Sequence, residues 1–286
     1  MTGATSGIGA IAAQLLQAAG KFVVVGARGS VAPPGTERRE LDLANFASVR
    51  RFAASIDMPV DAVVLNAGVQ RPNVDARTPD GFEMTFGVNH LAHYLLARLL
   101  LPRIVDGGRL IITTSGTHDP AEKTGMPAPR TAFASELADP SSHPDHDRRP
   151  FIAGLRAYTS SKLCNLMTAR SLAADPEVVS RRIRVHAYDP GGVPGTGLSR
   201  DAPFVFRKIL LPLLTLLRPI IPGTNTLGQA GTALAGLADG SITGAGVYMA
   251  LRKGKPTWPK PSLLARDDQA CEQLWIDSAK MVGLAN

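Results

Sequence analysis

The chain has 286 residues, 44% hydrophobic and 19% charged, a balance that suits a folded α/β chain with a sizeable core and excludes disorder. Its two cysteines, Cys164 and Cys271, exclude a disulfide framework and a Cys-rich metal site, and point to a reducing cytoplasm. The net charge of +7 is scattered over pairs such as Arg38-Arg39, Arg148-Arg149, Arg181-Arg182 and Arg252-Lys253, with aromatics at only 5%. No basic stripe is interleaved with aromatics, so no nucleic-acid partner is expected; attraction to a phosphorylated cofactor or an anionic membrane surface fits the charge as well. No charged stretch followed by an apolar one opens the chain, so no signal peptide is expected.

Residues 2–9, TGATSGIG, hold Gly3, Gly7 and Gly9 in a G-x-x-x-G-x-G pattern. Glycines let a backbone approach a pyrophosphate, and the N–H groups opening a following helix favour an anion. Ile11, Leu15 and Leu16 recur at helical spacing, and Gly20 stops that helix. The β-branched run at 21–28, KFVVVGAR, predicts a buried parallel strand. Leu41-Asp42-Leu43 leads into a helix over 44–56. A short apolar strand at 62–65 ends in Asn66-Ala67-Gly68, a long helix follows over 81–101, and a strand at 110–114 ends at Ser115. This alternation predicts βαβ units and a doubly wound parallel sheet with helices on both faces, in one domain spanning 1–286. A dinucleotide fold places its first strand, about 5 residues long, ahead of the glycine turn. Only Met1 stands there, so that strand is expected to be truncated and its two neighbours to lose a ladder partner. Adding about five to eight apolar residues upstream is expected to raise both Tm and cofactor affinity.

The segment 118–149 is an irregular insert rich in Pro, Asp, His and Ser, and loops this long are usually functional or mobile. Its His143, Asp145, His146 and Asp147 read as a solvated polar loop rather than a metal site, because no second cluster completes a ligand set. A strong helix is predicted over 155–174, then a strand at 184–188 followed by Asp189-Pro190-Gly191-Gly192. The stretch 204–221 is very apolar, but Pro212 and Pro219 interrupt it and Arg207, Lys208 and Arg218 lie within it. A membrane span needs about 20 largely uncharged residues. The stretch is therefore expected to form a lid, about 199–228, over a hydrophobic substrate, touching a membrane surface or packing as a plain core helix. A last strand at 246–250 and a closing helix at 270–284 complete the chain.

Tyr158 and Lys162 stand four apart on the 155–174 helix and share a face. A free tyrosine has a pKa of about 10, and a lysine ammonium one turn away favours its phenolate. Such a tyrosine can give a proton to a carbonyl oxygen as hydride arrives, or take one in reverse. In order, the chain holds the glycine turn, Asn-Ala-Gly after a strand, Asn89 in a helix, Ser115 at a strand end, Tyr158 with Lys162, and Pro190-Gly191 after a strand. In this it resembles the short-chain dehydrogenase/reductase family, over essentially its whole length, and the resemblance implies a Rossmann-type fold.

The resemblance implies that Tyr158 is the general acid/base and that Lys162 lowers its pKa and holds the nicotinamide ribose hydroxyls. It implies that Ser115 hydrogen-bonds the substrate oxygen and that Asn89 positions a water of the proton relay behind Lys162. Gly3, Ser6, Gly7, Ile8 and Gly9 would cradle the pyrophosphate, Asp42 and Leu43 would meet the adenine, and Asn66, Ala67 and Gly68 would pack beside the adenosine ribose. Pro190, Gly191 and Val193 would border the nicotinamide, with Thr196 close to its amide or phosphate. NAD-dependent members place a carboxylate at the end of the second strand. Arg28 stands there in this chain and suits a 2′-phosphate, which implies NADP(H) in preference to NAD.

TPDGFEMTFGVNHLAHYLL (78–96) resembles the retinol-dehydrogenase and light-dependent protochlorophyllide-reductase branches. AYTSSKLCNLMTAR (157–170), PGTGLSRD (194–201) and LWIDSAKMVGL (274–284) resemble the second, and Cys164 matches a cysteine in its lysine helix. That branch carries cysteine where this chain has Gly192 and Asn-Ala-Ala where it has Asn66-Ala67-Gly68. The usual threonine of Pro-Gly-x-x-x-Thr falls on Gly195, one before Thr196. The expectation is a dark NADPH-dependent carbonyl or alcohol oxidoreductase with a small-molecule substrate that is bulky and apolar. The alternatives are C=C reduction of the protochlorophyllide-reductase kind and a catalytically silent NADP(H)-binding protein. No metal is expected; peripheral membrane contact and a homo-oligomer stay open.

Overall fold

The computed structural model describes residues 1–194 and 224–285. The expectations for Thr196 and for the apolar lid up to residue 223 concern residues outside these.

Helix α1 (Gly7–Ala18) begins where Ser6 turns extended, and the chain leaves it through Gly20 at φ 75°. Strand β1 (Val24–Ala27) follows and pairs in parallel with β2 (Glu37–Glu40). The β2 sequence, ERRE, carries no apolar residue; it lies at the sheet edge and forms through backbone pairing, so no hydrophobic pattern announces it. Helix α2 (Phe46–Ser55) is capped by the Asn45 side chain, which accepts the Ser48 N–H, and leads to β3 (Val60–Leu65). The helix predicted over 81–101 is broken into a short turn Met84–Phe86, a π-helical turn Gly87–Leu91, and α3 (Ala92–Leu100).

Strand β4 (Ile104–Thr113) starts earlier than its apolar run suggests. The insert contains a short helix, Ala134–Ala138, where only irregular chain is predicted. Helix α4 (Pro150–Ala174) opens on a proline, at the one position where a missing N–H costs nothing. Next come β5 (Arg184–Asp189), α5 (Leu227–Asp239), β6 (Tyr248–Arg252), β7 (Lys255–Thr257) and α6 (Asp268–Met281). The sequence reading misses α5, which a Thr226/Gln229 capping box starts, and the short antiparallel β7.

The strands run β1–β2 in one group and β3–β4–β5–β6–β7 in another, parallel except for β7. Between the groups stand Met1 and Thr2. The Met1 ammonium donates to Val24 O at 2.5 Å, Gly26 N–H donates to Met1 O at 3.0 Å, and Thr2 N–H donates to Val64 O at 2.8 Å. The expected first strand is thus two residues of bridge between β1 and β3. Side chains alternate along β4: Ile111 joins a core under α1 and α5, while Leu110 and Ile112 join the core under α2, α3, α4 and α6. Helices therefore cover both faces, and the parallel strand ends meet at one rim. Among the described residues, no helix is long and apolar enough to cross a membrane. In the insert, Asp147 is held by Arg130 and Arg156, and His143 lies 3.4 Å from Glu136.

Candidate active site

The ends of β1, β3, β4 and β5 border one cleft of about 590 Å³. At one end lie Gly3, Ser6, Gly7 and Ile8 from the turn into α1, then Arg28, Asp42 and Leu43. Gly3 (φ 66°) has Ala67 backbone 2.7 Å from where a Cβ would sit, and Gly7 (φ 59°) has open space there, so both hold the left-handed backbone that glycine permits. The first turn of α1 carries no acidic side chain, which leaves its N–H groups free for an anion. The residues present fit a nicotinamide dinucleotide. Gly9 corrects the reading in one respect. It does not line the cleft; a Cβ there would lie 2.2 Å from Gly3 O, so Gly9 lets the helix close onto the turn.

Asn66, Ala67 and Gly68 line the middle of the cleft. Asn66 is held on both sides, donating to Gly3 O at 3.2 Å and accepting from Thr113 Oγ1 at 3.1 Å. Thr2 Oγ1 accepts the N–H groups of Asn66 (2.9 Å) and Ala67 (3.0 Å) and lies 3.0 Å from His93 Nε2. With both acceptor sites taken, the hydroxyl proton goes to His93, whose Nδ1–H then donates to the Asn89 carbonyl at 3.0 Å. Burial keeps that ring neutral, with its pKa lowered to about 4.

Ser115, Tyr158, Lys162, Pro190, Gly191 and Val193 line the other end. Ser115 Oγ accepts the Thr117 N–H at 3.3 Å, and its carbonyl accepts His118 Nδ1–H at 2.7 Å. Lys162 Nζ donates to Thr113 O at 3.1 Å and lies 5.6 Å from the centre of the Tyr158 ring. Asn89 is fully buried behind the cleft; its amide exchanges hydrogen bonds with the Val69 backbone and donates to Ser161 Oγ at 3.0 Å. Gly68 separates it from Lys162, with the place of a Cβ 3.4 Å from Nζ and 3.6 Å from Asn89 Oδ1.

Within the protein alone, burial pushes the Tyr158 hydroxyl well above its usual range; the Asp189 charge adds to this and the Ser115 hydroxyl opposes it. Burial lowers Lys162 to about 8, against an upward pull from Asp189. The expectation that Lys162 depresses Tyr158 is thus outweighed by the burial of Tyr158 and the charge of Asp189.

The short chain dehydrogenase profile matches residues 1–125. Protochlorophyllide reductase B, chloroplastic, of Oryza sativa subsp. japonica is 34% identical over 315 residues, covering 100% of this chain and 77% of that protein. The chain belongs to the short-chain dehydrogenase/reductase family. Its likeness to protochlorophyllide reductases puts it on that branch of the family and makes it an oxidoreductase. The crystal structure of an uncharacterised protein from Mycobacterium paratuberculosis superposes with a TM-score of 0.71 at 28% identity, over 99% of this chain and 92% of that one. A short-chain dehydrogenase from Burkholderia cenocepacia J2315, solved with NADP, shares the fold at 21% identity and a TM-score of 0.59, over 86% and 93% of the two chains.

For a short-chain dehydrogenase/reductase, three groups here escape motif reading. Arg38 donates to the carbonyls of Ala27, Arg28 and Gly29, and so pins the loop that carries Arg28. His93 ties the Asn89 turn to Thr2. Asp189 is fully buried at the end of β5, paired with Arg252. A carboxylate closing a strand directly before Pro190-Gly191 is the one signal in the sequence that could have marked it.

Proposed function

We propose that this chain is an NADP(H)-dependent dehydrogenase/reductase that moves hydride between the nicotinamide and a carbonyl or alcohol carbon of a bulky apolar substrate. One observation carries the reading: Ser115, Tyr158 and Lys162 share a wall of the cleft whose far end holds the glycine turn and Arg28. The cofactor supplies or accepts the hydride. Tyr158, kept protonated by burial, holds the proton that a new alkoxide needs, and Ser115 hydrogen-bonds the same oxygen. Lys162 holds the ribose hydroxyls, and Asn89 fixes the loop after β3 at Val69 behind it. Arg28 takes the 2′-phosphate. Val69, Met84 and Val88 give the substrate an apolar wall. The chain works as one dinucleotide-binding domain.

A second reading, reduction of a C=C bond in a tetrapyrrole, draws on the full-length likeness to protochlorophyllide reductases. Both readings are tested by NADPH oxidation over bulky ketones, alcohols and a tetrapyrrole, in dark and in light. Tyr158→Phe is expected to lower turnover by about 10²–10⁴-fold while keeping NADPH binding, and Lys162→Ala to weaken both. Full activity in Tyr158→Phe overturns the mechanism, and turnover of the tetrapyrrole alone, in light alone, selects the second reading.

A further inference from the structure

We propose that the buried Asp189–Arg252 ion pair is the positioning element of this site, fixing from behind the Pro190-Gly191 turn and the backbone next to Ser115 and setting the charge that Tyr158 and Lys162 face; this rests on the function proposed above. Asp189 ends β5 with its side chain fully buried. Its Oδ1 accepts the Gly191 N–H at 2.9 Å, which fixes the Pro190-Gly191 turn bordering the cleft. Its Oδ2 accepts the Tyr248 hydroxyl at 3.0 Å and Arg252 Nη1 at 2.8 Å. The backbone just after Ser115 rests on the same pair. A Cβ on Gly116 would lie 3.1 Å from Asp189 Oδ2 and 3.4 Å from Arg252 Nη2. Arg252 Nη2 reaches on to Glu122 Oε1 at 2.8 Å, so the insert is tied to the same point.

A buried ion pair adds little stability over an apolar pair of equal volume, because desolvation offsets the attraction. Its place here therefore asks for another account, and the geometry supplies one. One carboxylate anchors the turn on the nicotinamide side and backs the turn carrying Ser115. It also sends its field into helix α4, where it raises both Tyr158 and Lys162. Arg252 offsets part of that field and sets how much reaches the helix. The groups facing Asp189 are Tyr158 and Lys162 from α4, Tyr188 from its own strand, and Tyr248 and Arg252 from β6. The segment after β4 adds Glu122, and His118 packed edge-on to Tyr248 at 5.2 Å. Lys162, lowered to about 8, is the group that an alkaline titration reads.

The test follows NADPH binding by fluorescence as pH rises, which needs no substrate. Protonated Lys162 donates to the ribose, so affinity falls as pH climbs through its pKa. Asp189→Asn removes the field that raises Lys162, and the fall is expected about one pH unit lower. Arg252→Gln leaves the carboxylate unopposed, and the fall is expected at higher pH than in the unaltered protein. Arg252→Lys keeps the charge and is expected to restore the original midpoint. Opposite shifts, with rescue by lysine, are what a purely structural pair would not give. Equal midpoints in all variants, or shifts in one direction only, overturn the proposal. Should Asp189→Asn not fold, Arg252→Gln against Arg252→Lys decides alone. If the unaltered protein binds no NADPH, the proposed function falls and this inference with it. If it binds, and Tyr158→Phe lowers turnover as expected above, only the role of the pair is at stake.

Discussion

Arg28 reaches the cleft from the loop after β1, and Arg38 holds that loop by three of its carbonyls. A guanidinium on a pinned loop is a fixed site for a phosphate dianion, and a hydrogen bond to a charged group contributes about 1.5–3 kcal/mol. Arg28→Asp is therefore expected to shift the NADPH/NADH preference by about 10–100-fold toward NADH, as measured by the two dissociation constants. An unchanged ratio would remove Arg28 from the cofactor site. At this scale the sequence was most informative where chemistry needs a fixed spacing. Tyr158 and Lys162 four apart on a helix, and Ser115 closing a strand, are visible in one dimension. Arg38, His93 and Asp189 act through partners 10, 91 and 63 residues away, and no spacing encodes those.

Helix α4 brings Tyr158 to the cleft because it lies unusually close to the loop at Arg71. A Cβ on Gly154, one turn before Tyr158, would sit 2.3 Å from Arg71 O and 2.7 Å from Pro72 C. That is backbone against backbone, with no flexible side chain to give way. Gly154→Ala is expected to cost about 1–3 kcal/mol in denaturant unfolding and to lower turnover as Tyr158 moves with its helix. Stability equal to the parent would show that the loop yields freely. Elements with a long or apolar run of their own were legible, α4 and β3 most clearly. Strand β2 was not, because ERRE forms at an edge through backbone pairing alone. The break of the 81–101 helix was not legible either, since a π-helical turn at Gly87–Leu91 changes hydrogen bonding without changing the apolar pattern.

In the molecule as a whole, the two groups of strands meet along a line that Met1 and Thr2 bridge by backbone hydrogen bonds to β1 and β3. The doubly wound layout was legible from the alternation of strands and helices. How firmly its centre is closed was not, because that depends on three backbone hydrogen bonds.

The hydroxyl of Thr2 sits on that same line. It receives two backbone amides and gives its proton to His93, which passes its own to the Asn89 carbonyl. Positions 2 and 93 are therefore coupled through their side chains, whereas position 89 enters only through its backbone carbonyl. A change at Thr2 already forfeits most of what a change at His93 would forfeit, so the double variant falls well short of the sum of the two.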